Sequence, residues 1–382
     1  MTPDMFLLGI NEHTLEVLKN KLREGRYTLS DYERAGLSES KLIELTAFKR
    51  QEEEKERAYK SRAQVISKLS NPLTSFIDIN NYLDSSQITI DDFINDEIPD
   101  SIGKTIRKYR NGEINFDISN EGVTSSEDFP ELPSGRMDLY FIGLPSSGKS
   151  TLLAGLLHEA HKSGRLKVDG KVNWKGNIYS QDLIENLNQG VIPEPTQTGR
   201  YIFIESSLCD DNNEEHPLNL IEVPGERWDA TNRVGSADEL KHLKNENQKV
   251  MFFVIDANPN RPVIKQSTAF NNLLTVFKEN GVLDQTLAVY IIVNKFDLID
   301  DQYRSYSGEL DPCVGLNYFN EHFLSFKNNL ITHRENGDLK FEIILFPYSI
   351  GDVWYGKFVS KLNRLHAANI LNQMFADTFS NR

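Results

Sequence analysis

The chain has 382 residues, more than one hydrophobic core usually organises, which predicts two domains. Apolar residues make up 39% and charged residues 26%, a soluble globular composition, and a net charge of −14 at pH 7 argues against a phosphate-backbone footprint, so no nucleic-acid partner is expected. No run approaches the ~20 apolar residues of a membrane span, no basic leader precedes an h-region, and Cys209 and Cys313 fit no metal-ligand spacing; the expectation is a cytoplasmic protein with two reduced, buried thiols.

Residues 1–118 read as an all-helical interaction module. Leu15, Leu18 and Leu22 have helical spacing, and Leu42, Leu45 and Phe48 begin a helix that runs through a charged stretch to end before Pro72. The segment 26–40 aligns without gaps on 87–101, pairing Tyr27, Leu29, Tyr32 and Leu37 with Ile88, Ile90, Phe93 and Ile98, which suggests an internal duplication. Thr28 and Thr89 each precede an Asp by three residues, a capping arrangement, and 110–117 resembles 23–30 more weakly. Residues 119–136, rich in Ser, Glu, Pro and Gly, read as a linker.

From 137 to 382 apolar strands alternate with helical stretches: 138–142, 201–204, 218–221, 250–255, 287–293 and 341–346, with a closing helix expected over 353–379. Near-continuous hydrophobic strands separated by helices predict an α/β domain with a mostly parallel sheet and helices on both faces. The first strand runs into Gly143-Leu-Pro145-Ser146-Ser147-Gly148-Lys149-Ser150 and then a helix bearing Leu152, Leu153, Leu156 and Leu157, the P-loop order of strand, loop and helix. The loop backbone would turn its N–H groups onto phosphate at a helix N-terminus, Lys149 would neutralise β- and γ-phosphate charge, Ser150 would ligate Mg²⁺, and Thr151 would assist the α-phosphate.

After the strand 287–293 comes Asn294-Lys295-Phe296-Asp297, the N-K-x-D pattern in which the Asp accepts from the guanine ring N–H and exocyclic amine; adenine offers no such donor pair. Tyr348-Ser349-Ile350-Gly351 follows the last strand and resembles the S-A-K loop that meets the guanine oxygen through backbone N–H, with Gly351 in place of Lys. With these motifs the chain resembles the P-loop GTPases of the translation-factor and small-GTPase class, over 137–379, and bacterial GTPases that carry an extra helical module.

The resemblance implies a P-loop NTPase (Ras-like) fold, Mg²⁺ as cofactor, GTP as substrate and GDP as product. The family's D-x-x-G motif corresponds to Glu222-Val223-Pro224-Gly225, where Glu222 would hold Mg²⁺ through water and Gly225 N–H would meet the γ-phosphate. Glu226 stands where the family places the Gln that orients the attacking water, which implies slow turnover without a partner; Arg200 and Arg227 are candidate compensating cations. Thr196 or Thr198 would supply the first-switch ligand to Mg²⁺. The expected activity is a GTP-hydrolysing switch whose residues 1–118 bind a protein effector or a second copy. A non-hydrolysing GTP-binding scaffold, and an ATPase in which NKFD is incidental, are the alternatives.

Overall fold

A computed structural model describes residues 5–114, 123–125, 129–168, 174–194, 200–228, 241–299, 312–336 and 341–379. Its contacts form two compact units, one ending at Phe93 and one beginning at Ile94.

The first unit contains α1 (Met5–Leu8), α2 (Leu15–Arg23), α3 (Leu29–Arg34), α4 (Glu39–Leu69) and α5 (Phe76–Asp84). Leu18, Tyr32, Leu37 and Leu45 are buried together, with Leu15 and Leu22 against them, so the leucine face of α2 meets the start of α4 as its spacing requires. The 31-residue α4 is held by Leu45 near one end and by Val65 and Leu69 at the other; between them its charged run is almost entirely solvated.

The two similar segments fold alike at an offset of 61 residues. Thr14 and Ser75 cap α2 and α5 by accepting from Val17 N and Asp78 N. Both helices end on a left-handed residue, Gly25 (φ 69°) and Ser86 (φ 57°), with the six-residue closure of a Schellman turn, Arg26 N to Lys21 O and Gln87 N to Tyr82 O. Thr28 N and Thr89 N then donate to Asp31 and Asp92 at 2.8 and 2.7 Å, and Tyr32 and Phe93 are buried. A third helix, α6 (Asp100–Arg110), ends the same way on Gly112, with Glu113 N bonded to Lys108 O.

The second unit contains α6 and continues with β1 (Val123–Ser125), β2 (Met137–Ile142), α7 (Lys149–Lys162), β3 (Leu166–Val168), α8 (Trp174–Asn188), β4 (Arg200–Cys209), β5 (Glu215–Glu222) and β6 (Gln248–Asp256). There follow α9 (Val263–Glu279), β7 (Thr286–Asn294), α10 (Pro312–His322), α11 (Leu324–Asn336), β8 (Glu342–Tyr348), β9 (Gly351–Trp354), β10 (Phe358–Leu362) and α12 (Arg364–Gln373), which passes into a wider turn over Met374–Phe379. The sheet order is β1-β4-β5-β2-β6-β7-β8 with β3 beside β4. Strands β5, β2, β6, β7 and β8 are parallel, while β4 runs antiparallel to β5 and β1 and β3 antiparallel to β4.

The α/β class and the mostly parallel sheet expected from the strand pattern are thus present. The layers follow from alternation. Tyr140 and Ile142 of β2 pack with Phe270 of α9, Tyr318 of α10 and Phe326 of α11 on one face. Leu139 and Phe141 pack with Leu153 of α7, Leu183 of α8 and Ile370 of α12 on the other.

Four details depart from the sequence reading. The single helix expected over 353–379 is instead the β9–β10 hairpin followed by α12; Gly351 (φ 132°) starts the hairpin, and an added Cβ there would lie 2.0 Å from Lys361 O. Within 119–136, β1 pairs with β4, and Phe129 packs on Tyr201 and His242; Phe129 and Leu132 are apolar anchors that the polar composition of the segment hides. Helix α6, grouped by sequence with the helical module, contacts β10 and donates from Thr105 Oγ1 to Gln189 O. Cys209 is buried but Cys313 is exposed. Among the described residues no helix is long and apolar enough to cross a membrane.

Candidate functional site

Strand β2 is buried along its whole length and releases the chain at Gly143, at the carboxyl end of the parallel strands, where α/β sheets place their ligands. The loop 143–148 is strongly turned: Ser146 (φ 63°) and Gly148 (φ 87°) are both left-handed. Gly148 is the residue before α7, offers no side-chain cap, and no acidic residue occupies the first turn of the helix. The helix N–H groups and their partial positive charge therefore face the loop with no acidic side chain of the helix itself to satisfy them, an arrangement suited to phosphate.

Lys149 is 5% exposed, and its Nζ donates to Gly143 O at 3.2 Å, folding the side chain back across the loop. Burial lowers its pKa, opposed by the charges of Glu222 and Glu226. An ammonium kept dry at the mouth of a loop of N–H groups is poised to gain from an anion.

The segment after β5 closes the other side. Ser150 Oγ donates to Glu222 Oε1 at 2.8 Å, and Glu222 is 1% exposed. Gly225 lies so close to the loop that a Cβ would come within 2.4 Å of Pro145 N, which only glycine permits. Glu226 is half-buried in the turn Gly225–Trp228, and Arg227 belongs to the same turn. Arg200 is half-buried at the start of β4. Thr196 and Thr198 lie outside the described residues.

The donors here are hard oxygens, and among the described residues no cluster of three or more His, Cys, Asp or Glu forms a metal cage. A serine hydroxyl joined to one carboxylate fits Mg²⁺, which keeps several waters and takes its remaining ligands from phosphate. Ser150 would bind it directly, with Glu222 holding the hydroxyl and the surrounding water.

Strand β7 supplies a clasp to the same loop. Asn294 Nδ2 donates to Ser147 O at 2.7 Å, Lys295 Nζ to Ser146 O at 2.8 Å, and Asn294 Oδ1 accepts from Lys295 N at 2.8 Å. Lys295 adopts a left-handed φ of 56° and also pairs with Asp256 Oδ2 at 2.7 Å. The packing is close: a Cβ on Gly148 would lie 2.2 Å from Asn294 Nδ2. Asp297 follows in the turn Phe296–Leu298, half-buried.

The loop after β8 completes the arrangement. Ser349 and Ile350 are buried; Gly351 N donates to Ser349 Oγ at 3.2 Å, and Asn363 N donates to Ile350 O at 2.8 Å. The β9–β10 hairpin that grows from this loop is bonded to 190–194: Val359 N donates to Gly190 O at 2.7 Å, Ile192 N donates to Lys357 O, and Lys357 pairs with Glu194.

The sequence-derived residues Gly143, Pro145, Ser146, Ser147, Gly148, Lys149, Ser150, Thr151, Glu222, Gly225, Glu226, Asn294, Lys295, Asp297, Ser349 and Ile350 thus fall on strand ends, the turns after them and the first turn of α7, at one end of the sheet. Two participants were not anticipated. Asp256, the partner of Lys295, ends β6, and its backbone is held by Gln266 at 2.8 and 3.0 Å; a carboxylate closing an apolar strand was its only signal. His366, on α12, accepts from Ser349 N at 2.9 Å, and nothing in its local sequence marks it.

No family model and no curated protein matches the chain.

Proposed function

We propose that the chain is a Mg²⁺-dependent GTP-binding and GTP-hydrolysing switch with a Ras-like P-loop domain. The observation that carries the reading is the clasp: Asn294 and Lys295 hold the backbone of Ser147 and Ser146, so one strand end braces the phosphate loop and presents Asp297 beyond it. A chance polar turn has no reason to make both bonds. In this reading Asp297 accepts from the guanine N–H groups, Ile350 N–H meets the guanine oxygen, and the loop 143–148 with α7 receives the phosphates.

Bound Mg²⁺ would offset the charge of the β- and γ-phosphate oxygens. Lys149 would exchange its loop carbonyls for phosphate, regaining the charge–charge stabilisation that burial denies it. Gly225, against Pro145, would bring its N–H to the γ-phosphate and order the segment that follows. Glu226 would orient water, but its carboxylate adds negative charge beside a phosphate already surrounded by it, so hydrolysis without a partner is slow. Its influence on Lys149 supports that placement.

Phosphate release measured with GTP and with ATP, alongside Lys149→Ala, tests the reading. Slow release from GTP, none from ATP and loss of release in the variant are expected. ATP turnover above that of GTP would sink the base assignment. Tight GTP binding with no release would leave a non-hydrolysing scaffold.

A further inference from the structure

Two halves of the proposed base site come from different strands: Asp297 after β7 and the Ser349–Ile350 loop after β8. A hairpin separates the second half from α12, yet α12 returns His366 to its side. Resting on the guanine assignment above, we propose that His366 is the positioning residue of the base site, holding the Ser349–Ile350 peptide so that Ile350 N–H faces the 6-oxo group of the purine.

The geometry is specific. Ser349 N–H is taken by His366 Nδ1 at 2.9 Å, and Gly351 N–H by Ser349 Oγ at 3.2 Å, while Ile350 O is held by Asn363 N at 2.8 Å. With the N–H groups on either side engaged and its own carbonyl fixed, Ile350 N–H is the donor at the apex of the loop. The imidazole is also near enough to Asp297 to feel its charge. One side chain therefore touches the loop that would donate to the purine and lies within electrostatic reach of the carboxylate that would accept from it.

An imidazole nitrogen that accepts a backbone N–H carries a lone pair, so this contact exists only with Nδ1 unprotonated. Burial holds the His366 pKa below its ordinary 6.5, opposed by the Asp297 carboxylate. Tyr348 of β8 faces the ring at 6.3 Å and stays neutral, because burial raises its pKa. Arg364, earlier on α12, is engaged by Glu159 of α7 at 2.6 Å. Base binding is therefore strongest at neutral pH and declines as pH falls through the lowered His366 pKa, when the protonated ring loses Ser349 N–H.

The experiment measures GDP and IDP affinity by calorimetry from about pH 8 to about pH 5.5, where an imidazole titrates. It uses the full chain, His366→Phe and His366→Asn, each checked for a cooperative melt. Phe keeps the ring and removes the acceptor; Asn keeps an acceptor that does not titrate. The wild type should lose affinity progressively toward the acid end, by less than about tenfold, the worth of about one hydrogen bond. His366→Phe should be weaker by a similar factor at every pH, and His366→Asn near wild type and flat. GDP and IDP should lose equally, since both carry the 6-oxo group. His366→Phe within twofold of wild type with the same acid slope overturns the proposal; if that variant does not fold, an unchanged slope in His366→Asn overturns it. A wild type that binds neither GDP nor IDP removes the guanine assignment, a result distinct from a wild type that binds both without regard to His366.

Discussion

The parallel sheet carries a row of buried polar side chains at each end, and the two rows are built in opposite ways. Near the amino ends, Asn219, Asp138 and Lys249 stand in register on β5, β2 and β6. Asp138 accepts from Asn219, Asn245 and Asn247 at 2.6 to 3.0 Å, and Lys249 donates to Asn245 O, Asn247 O and Gln285 Oε1 at 2.7 to 2.8 Å. At the carboxyl ends, Asp256, Asn294 and Tyr348 stand in register on β6, β7 and β8, and the cations near them reach mostly for loop carbonyls. Lys249 reaches a third partner, the Gln285 side chain, within the field of Asp138, whereas Lys149 bonds only to carbonyls of the loop before its own helix and can exchange them for another ligand. Burial depresses the pKa of both lysines, Lys249 to about 8, so a shifted pKa alone does not distinguish a binding site from a structural one.

The largest effect is expected from Lys149→Met. It should weaken nucleotide binding by about 4 kcal/mol, on the order of a thousandfold, by removing the charge-assisted contact to phosphate. The melting temperature without nucleotide should not fall, because the lost ammonium was already penalised by burial. Calorimetric titration and a thermal melt on the same sample check both halves, and a large drop in stability would make Lys149 structural like Lys249.

The amino end should respond to pH instead. His242 stacks among Phe129, Tyr140 and Tyr201, and burial, followed by the Lys249 charge, lowers its pKa to about 4. Because the unfolded chain takes up this proton near pH 6.5 and the folded one only near 4, stability is fully present above 6.5. As pH falls to 4 it should drop by about 3 kcal/mol. Denaturant melts across that window in wild type and His242→Phe would show it, and an equal slope in both would assign the acid sensitivity elsewhere. Asp138→Ala should cost about 2 kcal/mol of stability by stranding buried amides, while leaving affinity per folded molecule unchanged.

The same contrast explains what could be read from the sequence. Gly143 to Ser150 and Asn294 to Asp297 are contiguous, and each sits at the end of an apolar run, so local pattern locates them. Asp256 and His366 act through register and through a helix that returns after a hairpin, relations that no spacing encodes. The hairpin is harder to see: its turn is made by Tyr355 and Gly356, both left-handed, between two strands of four and five residues, too short to show a clear alternation, and Gly351 reads in the sequence only as a departure from S-A-K. The amino-end row has no local signal: Asp138 and Lys249 are single charges at the starts of apolar runs, and only the register of three strands makes them neighbours.

The smallest expected effect is the most discriminating. If the two rows are separate devices, combining Lys149→Met with Asp138→Ala should give the sum of the single effects within about 0.5 kcal/mol, for stability and for binding alike. Asp138 lies five residues before Gly143 on β2, roughly 16 Å along an extended strand, beyond the range of direct packing. Coupling above about 1 kcal/mol would mean that β2 transmits strain between the ends of the sheet. The amino-end network would then belong to the switch rather than to the scaffold.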